Sequence, residues 1–287
     1  MDFENMTDEQ REALNVEYLP RYTVTNADEY IANSAKRSAV AREHLNCIID
    51  IAYGDTPGQT LDVFPAERPG SPVHVFIHGG YWRAMDKNLY SEMAAPFLSA
   101  GAAVVQPNYD LCPIVTVPGI VDQVRKSIAW VHANIAEHNG DAERIHISGH
   151  SAGGHLTGMM MATDWNAEFG LPADLIKGAT PLSGLFDIEP HRHTDLQTDI
   201  RLTAEDAAAC SPQNLDLHFS GPVICAVGGS ESGSFKRQSS DFTAKCQAQG
   251  LACDYVETGN DNHFEITDRL SDSNDDLTRA MIAQMGL

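Results

Sequence analysis

The chain has 287 residues, of which 43% are hydrophobic, and a formal net charge of −21 at pH 7. This length suits one large domain, and the negative charge disfavours nucleic acid or an anionic membrane as a partner, because both select for basic patches. No apolar run approaches the ~20 residues of a membrane-spanning helix. The first six residues lack the features of a signal peptide, so we expect a cytoplasmic protein.

The N-terminal segment, residues 1–45, is polar and has helical character. Residues 8–14 and 27–42 predict two short helices before the core sheet begins. This segment could cover an edge of the sheet, or it could lean over the mouth of a functional site as a partial cap. The sequence leaves both open.

From residue 46 the pattern changes to short apolar strands. Two strands linked by a hairpin and an almost wholly apolar third predict an antiparallel edge joined to a buried parallel sheet. The strands that follow alternate with helices, which is typical of a doubly wound sheet with right-handed crossovers. The predicted strands cover residues 47–53, 61–64, 73–77, 102–106, 144–148, 176–182, 222–227 and 253–257, and the helices residues 90–98, 119–138, 235 onward and 275–285.

A glycine-rich turn follows the fifth predicted strand and opens onto a helix. Its sequence is Gly149-His150-Ser151-Ala152-Gly153-Gly154, and its strand–turn–helix context is that of a nucleophile elbow. A serine at the tip of this turn has a cramped backbone and lies at a helix N-terminus, which favours a developing negative charge. We therefore expect Ser151 to be a nucleophile.

A second motif, residues 78–82 with the sequence HGGYW, follows the third strand. A tetrahedral oxyanion needs two or three N–H donors, one from the residue after the serine and the others from this loop. The backbone N–H groups of Gly79, Gly80 and Ala152 are therefore the predicted oxyanion hole. The alternative, a Gly-Gly turn with aromatic residues packed nearby, is disfavoured because this strand end must lie beside the elbow.

The base and the acid come from the last two strand ends, in the chain order serine, acid, histidine. Glu231 is the first carboxylate after the seventh strand, and Asp241 ranks second because it falls inside a predicted helix. His263 follows the last strand. His150 lies beside the nucleophile, and we interpret it as a packing or substrate-contacting residue.

The segment 189–220 has no obvious place in the sheet and is a candidate cap insertion. Its residues Glu189, His191, His193 and Asp195 invite a metal hypothesis. However, H-x-H in a polar loop is usually solvated, and no H-E-x-x-H or cysteine-rich spacing supports a metal site. We therefore expect neither a metal nor another cofactor.

Five motifs together resemble the kynurenine formamidase, or arylformamidase, branch of the α/β-hydrolase fold. They lie at residues 78–82, 109–113, 149–155, 182–187 and 235–239. The wider lipase-like esterases share only parts of this set and have a third glycine where this chain has Tyr81. The resemblance implies an eight-stranded, mostly parallel sheet flanked by helices, with Ser151 as nucleophile, Glu231 as acid and His263 as base. Glu231 departs from the animal enzymes, which carry Asp.

These observations predict a serine hydrolase that cleaves a small ester or an aryl formamide through an acyl-enzyme on Ser151. Tyr81 and Trp82 could stack against an aryl substrate and, with His150, form the predicted substrate-binding residues, or they could be packing. A general short-chain carboxylesterase is the alternative within the same class. A non-catalytic binding protein of the same fold is the alternative of another class. The expected partner is a small molecule, and a homodimer is left open.

Overall fold

The apolar segments of the chain form one mixed sheet of eight strands in a computed structural model that describes residues 6–287. Most of the N-terminal sequence that was compared with signal peptides lies outside the described residues. The strands are β1 Ile48–Ala52, β2 Thr60–Phe64, β3 Ser71–Ile77, β4 Ala103–Pro107, β5 Gly140–His150, β6 Ile176–Leu182, β7 Val223–Gly228 and β8 Cys253–Thr258.

The spatial order of the strands is β1-β2-β4-β3-β5-β6-β7-β8. The pairs β1–β2 and β2–β4 are antiparallel, and all other pairs are parallel. This arrangement confirms the predicted eight-stranded, mostly parallel sheet with an antiparallel edge. It also makes β3 and β5 parallel neighbours, so the HGGYW loop and the glycine-rich turn leave the sheet at the same edge.

Helices cover both faces of the sheet, and each face has its own apolar core. The described residues form the α-helices α1 Asp8–Tyr18, α2 Ala27–His44, α3 Ala94–Ala100, α4 Val117–Asn134, α5 Ala152–Ala162, α6 Trp165–Phe169, α7 Gln197–Ile200, α8 Ala204–Ala209, α9 Gly233–Ala248 and α10 Asp276–Gln284. None of the helices from residue 6 onward is long and apolar enough to cross a membrane.

Three element boundaries differ from the sequence prediction. The helix expected over residues 90–98 begins as a 3₁₀ turn, Ser91–Met93, and becomes α-helical only at Ala94. The helix expected to end at residue 138 changes to 3₁₀ geometry at Ile135–His138. The second N-terminal helix, α2, is 18 residues long rather than short. Periodicity alone does not mark these changes, because 3₁₀ and α turns have similar apolar spacing.

Candidate active site

Ser151 lies at the sharp turn between β5 and α5, where its backbone is in an unusual conformation. Its φ and ψ angles are 59° and −118°, a region that a residue with a side chain rarely occupies. The turn requires glycine on both sides of Ser151. A Cβ on Gly149 would lie 2.3 Å from the carbonyl oxygen of Gly153, and one on Gly153 would lie 2.0 Å from that of Ile77. The close approach of β3, β5 and α5 thus requires glycine at positions 149 and 153.

His263 and Glu231 form a buried hydrogen-bonded pair. Nδ1 of His263 lies 2.6 Å from Oε2 of Glu231, and the Glu231 side chain is 1% exposed. The other oxygen, Oε1, accepts hydrogen bonds from the hydroxyl of Ser183 at 2.5 Å and the backbone N–H of Gly228 at 2.7 Å. A buried carboxylate needs such partners to stay ionised. Because the carboxylate can only accept, Nδ1 carries the proton, which leaves the lone pair on Nε2 for use as a base.

Asp241, the second candidate for the acid, lies on α9 and is exposed to solvent. In contrast, Ser183 was not singled out from the sequence, although it contacts the carboxylate of Glu231 directly. Its φ of 48° at the end of β6 is the kind of strained position that often marks a functional loop. The residue type alone carried no signal, because a serine in an S-G turn is common in loops.

Ser151 and His263 line the same cavity. Within residues 6–287, no hydrogen bond joins the hydroxyl of Ser151 to the ring of His263, whose Nδ1 is hydrogen-bonded to Glu231. Such contacts are often long in the absence of substrate and shorten when the substrate binds. The arrangement therefore places the candidate nucleophile and the candidate base on one open cavity.

His150 packs its ring against that of His263, with ring centroids 4.5 Å apart. Burial lowers the pKa of His150 well below its usual value, and the neighbouring His263 lowers this pKa further. His150 is therefore neutral at physiological pH, and it lines the cavity beside Ser151. A neutral ring beside the base leaves the base free to accept a proton.

The loop after β3 lies directly against the nucleophile. A Cβ on Gly79 would lie only 3.2 Å from Cβ of Ser151. The backbone N–H of Gly79 faces the hydroxyl of Tyr90. In the described part of the chain, the backbone N–H groups of Gly80 and Ala152 donate to no backbone acceptor. They are therefore available to an oxyanion, and the N-terminus of α5 adds its positive dipole end.

The conformation of this loop is fixed by Tyr109, a residue of the motif at 109–113. Its hydroxyl donates to the backbone carbonyl of His78 at 2.8 Å, and the two rings stack with centroids 4.1 Å apart. The ring of His78 in turn lies 2.7 Å from the carbonyl oxygen of Gly79. The motif thus acts on the site through the loop rather than by touching the cavity.

Trp82 does not contribute to the cavity, which corrects the prediction that it binds substrate. Its side chain is fully buried, and its indole N–H donates to Nδ1 of His155 at 3.1 Å. Nε2 of His155 lies 2.7 Å from the carbonyl oxygen of Cys210. Trp82 therefore anchors the oxyanion loop to α5 and, through His155, to the segment after α8. Tyr81, in contrast, lines the cavity.

The cavity has a volume of about 540 Å³ and is walled mainly by apolar and aromatic side chains. Ser151, His150 and His263 line one part of it. The walls come from four parts of the chain: residues 19–22 and 30–34 of the N-terminal segment, the loop 80–90, residues 195–196, and the loop after His263. A volume of this size suits a small molecule with one aromatic ring.

The N-terminal segment contacts three of the four loops that carry the candidate catalytic groups. Glu17 accepts hydrogen bonds from the hydroxyl of Ser232 and the backbone N–H of Ser234, just beyond Glu231. The carbonyl oxygen of Tyr18 accepts from the hydroxyl of Tyr81 on the oxyanion loop.

The helix α2 holds the third loop. The hydroxyl of Tyr30 donates to the carboxylate of Glu265 at 2.6 Å, and its ring stacks on that of Phe264, the neighbour of His263. Of the two positions that the sequence left open for the N-terminal segment, the geometry favours the one over the mouth of the site.

The segment 189–220 folds into short helices beside the cavity but contributes only residues 195 and 196 to its wall. Glu189 pairs with Arg192 and lies 3.4 Å from the ring of His193, whereas His191 is buried between the rings of Tyr18 and Trp82. From residue 6 to the C-terminus, no three His, Cys, Asp or Glu side chains are arranged to hold a metal ion.

Comparison with known proteins gives the same architecture and related chemistry. The model of the protein family BD-FAE matches residues 61–181, which include the oxyanion loop and the elbow. The kynurenine formamidase of Danio rerio is 30% identical over 253 residues, which cover 86% of this chain and 84% of the relative. The esterase LipQ of Mycobacterium tuberculosis is 34% identical over 154 residues, which cover 48% of this chain and 35% of the relative.

Among solved structures, a protein from Silicibacter sp. TM1040 that is provisionally assigned as a thioesterase superposes with a TM-score of 0.83. It is 28% identical, and the superposition covers 94% of this chain and 98% of the other. The likeness therefore extends beyond the sheet to most of the chain.

Proposed function

Because the chain belongs to the kynurenine formamidase family of the α/β-hydrolase fold, we propose that it hydrolyses an aryl formamide resembling N-formylkynurenine through an acyl-enzyme on Ser151. The observation that carries this proposal is the meeting of the nucleophile, the His263–Glu231 pair and free N–H donors around one aromatic-walled cavity. The choice of a formamide as the substrate rests on the Danio rerio relative, a kynurenine formamidase. The serine mechanism rests on the arrangement of Ser151, His263 and Glu231.

In the first step, the hydroxyl oxygen of Ser151 attacks the formyl carbon while Nε2 of His263 takes the hydroxyl proton. The carbonyl oxygen becomes an oxyanion, which the N–H groups of Gly80 and Ala152 stabilise. Loss of one such donor typically costs about 10²–10³-fold in rate. Glu231 supports the step because its negative charge stabilises the imidazolium that forms.

In the second step, the imidazolium gives its proton to the departing aryl amine, and the carbon–nitrogen bond breaks to leave formyl-Ser151. Water then attacks this ester with His263 again acting as base, and formate is released. The same two steps would cleave an ester, with an alcohol in place of the amine. The catalytic groups alone therefore determine the reaction type. Which acyl compound is cleaved depends on the cavity.

A short-chain carboxylesterase activity is the second candidate. A partial relative is an esterase, and the apolar cavity wall accepts an alkyl or acyl chain as well as an aryl ring. The discriminating experiment compares kcat/KM for N-formylkynurenine with kcat/KM for p-nitrophenyl acetate and butyrate. The proposal expects the formamide to be the better substrate, and a large preference for the short esters would overturn it.

A hydrolase-fold binding protein without catalysis is the candidate of another class. Such proteins usually lack a member of the triad or the oxyanion glycines, whereas Ser151, Glu231, His263 and both glycines are present here. Covalent labelling by a fluorophosphonate decides between them, because a site without an activated serine does not react.

We also propose that residues 1–45 act as a cap, supported by the contacts of Glu17, Tyr18 and Tyr30 with three loops of the site, and that residues 195–196 extend it. The homodimer and the cytoplasmic location stay predictions from the sequence. Sedimentation velocity and fractionation of the native host would test them.

A further inference from the structure

Arg83 brings a positive charge to the cavity from the same loop that carries the oxyanion donors. It lines the cavity two residues after Tyr81. Its backbone N–H donates to the carbonyl oxygen of Gly80 at 3.1 Å, and that of Ala84 does so at 3.0 Å. Two backbone hydrogen bonds therefore hold the turn that carries the Arg83 side chain.

The guanidinium of Arg83 is only partly used by the protein. Its Nη1 contacts the carboxylate of Asp199, and the Arg83 side chain is 43% exposed. Within the described residues, its other N–H donors contact no protein acceptor. Arginine has five such donors and can hold a carboxylate with two at once. Arg83 can thus bind a carboxylate in the cavity while it keeps its contact with Asp199.

A negative charge also lines this cavity. It belongs to Asp195, which lies four residues before Asp199 in the chain and accepts a hydrogen bond from the hydroxyl of Tyr22 at 2.9 Å. A cation and an anion that line one cavity complement a zwitterion. The chain carries a net charge of −21, which repels an anionic substrate at long range but not a zwitterion without net charge.

We propose that Arg83 binds the α-carboxylate of an α-amino-acid substrate and thereby selects amino-acid formamides over neutral formamides and esters. This inference rests on the proposed function and assigns the specificity of that site to a residue outside the triad. Arg21 is the other arginine of the described cavity wall. It is the weaker candidate because it binds Asp28 of its own segment and both side chains are more than half exposed.

The first test is the ratio of kcat/KM for N-formylkynurenine to kcat/KM for formanilide, a neutral aryl formamide. In Arg83→Gln this ratio falls about 10- to 100-fold, mainly through KM, since a charge-assisted hydrogen bond to the substrate is lost. Asp199→Asn is the matched control, because it breaks the same ion pair without removing the cation. Its ratio stays near that of the wild type. An unchanged ratio in Arg83→Gln, or an equal fall in both variants, overturns the proposal.

The second test does not depend on formamide turnover. L-kynurenine and 2-aminoacetophenone are assayed as competitive inhibitors of p-nitrophenyl acetate hydrolysis. Arg83→Gln raises the inhibition constant of kynurenine about 10- to 100-fold and changes that of the neutral ketone far less. If N-formylkynurenine is not hydrolysed at all, the proposed function fails while this measurement still decides the role of Arg83. Equal changes for both inhibitors, or no binding of kynurenine by the wild type, overturn it.

Discussion

The chemistry at the residue scale depends on how Glu231 is held. One of its oxygens faces His263, and the other is satisfied by Ser183 and the backbone of Gly228. The side chain is buried, so its charge is screened little by water and acts strongly on the imidazole. A glutamate reaches the histidine from this strand end because the turn at Gly228 brings its backbone close to β8.

We predict that Glu231→Gln lowers kcat about 10³–10⁴-fold with little change in KM, as expected when the base is held in the wrong tautomer. The amide can keep an oxygen toward Ser183 but then presents N–H groups to Nδ1 of His263. Steady-state kinetics measure the effect, with Asp241→Asn as control because Asp241 is exposed on α9. A kcat of Glu231→Gln within tenfold of the wild type would contradict the assignment.

Chain order and local sequence were enough to single out Ser151, Glu231 and His263, because each follows a strand whose end must lie at one edge of a parallel sheet. The same reasoning could not assign Trp82. Whether an aromatic residue beside a glycine pair faces the cavity or the core depends on the backbone of the loop. Here φ values of 50° and 58° at Tyr81 and Trp82 place the two neighbours in different surroundings.

At the scale of elements, α1 connects parts of the site that are far apart in sequence. The ring of Tyr18, in its last turn, packs 4.8 Å from that of His191 and 6.4 Å from that of Phe235, measured between centroids. Its carbonyl accepts the hydroxyl of Tyr81. The residues that follow α1 form one wall of the cavity, so the docking of this helix determines the shape of the wall.

We expect Tyr18→Ala to detach α1 and open the cavity. The large-to-small change removes a buried aromatic ring and destabilises the docked segment by about 3–5 kcal/mol. KM should rise more than kcat falls, because the triad remains on the sheet. Limited trypsin digestion measures the opening as faster cleavage at Arg21, with Tyr22→Phe as control because it removes only one exposed hydrogen bond. Unchanged cleavage and unchanged KM would show that α1 is not a cap.

The helices α1 and α2 were predictable from the helical character of residues 8–14 and 27–42, but their position was not. Nothing local in a polar, weakly amphipathic segment indicates which surface it covers. The deciding contacts join residues about 200 positions apart, such as Glu17 to Ser234 and Tyr30 to Glu265. The order of the strands could not be predicted from local sequence either, because β2 pairs with β4 rather than with β3, the next strand along the chain.

At the scale of the whole molecule, buried histidines link stability to pH. Burial lowers the pKa of His74 and His191 to about 3 and that of His78 and His155 to about 4. In the unfolded chain these groups titrate near 6.5. Below pH 6.5 the unfolded state therefore binds more protons than the folded state, and folding stability falls as the pH falls toward 4.

We predict that the free energy of unfolding decreases between pH 7.5 and pH 5.0, with each such histidine contributing about 1 kcal/mol per pH unit below 6.5. Urea unfolding at both pH values measures the change. The variant His191→Phe keeps an aromatic ring in contact with the same neighbours. Its free energy of unfolding should decrease less between the two pH values, by the contribution of one histidine. A free energy of unfolding that is the same at both pH values would contradict this account.

The most direct test of the central claim is kcat for Ser151→Ala on N-formylkynurenine, with the folded state checked by its thermal unfolding midpoint. If Ser151 is the nucleophile, the variant folds and its kcat falls about 10⁵–10⁶-fold, leaving only the residual rate due to the oxyanion hole and binding. A folded Ser151→Ala variant with a kcat within tenfold of the wild type would contradict the proposal.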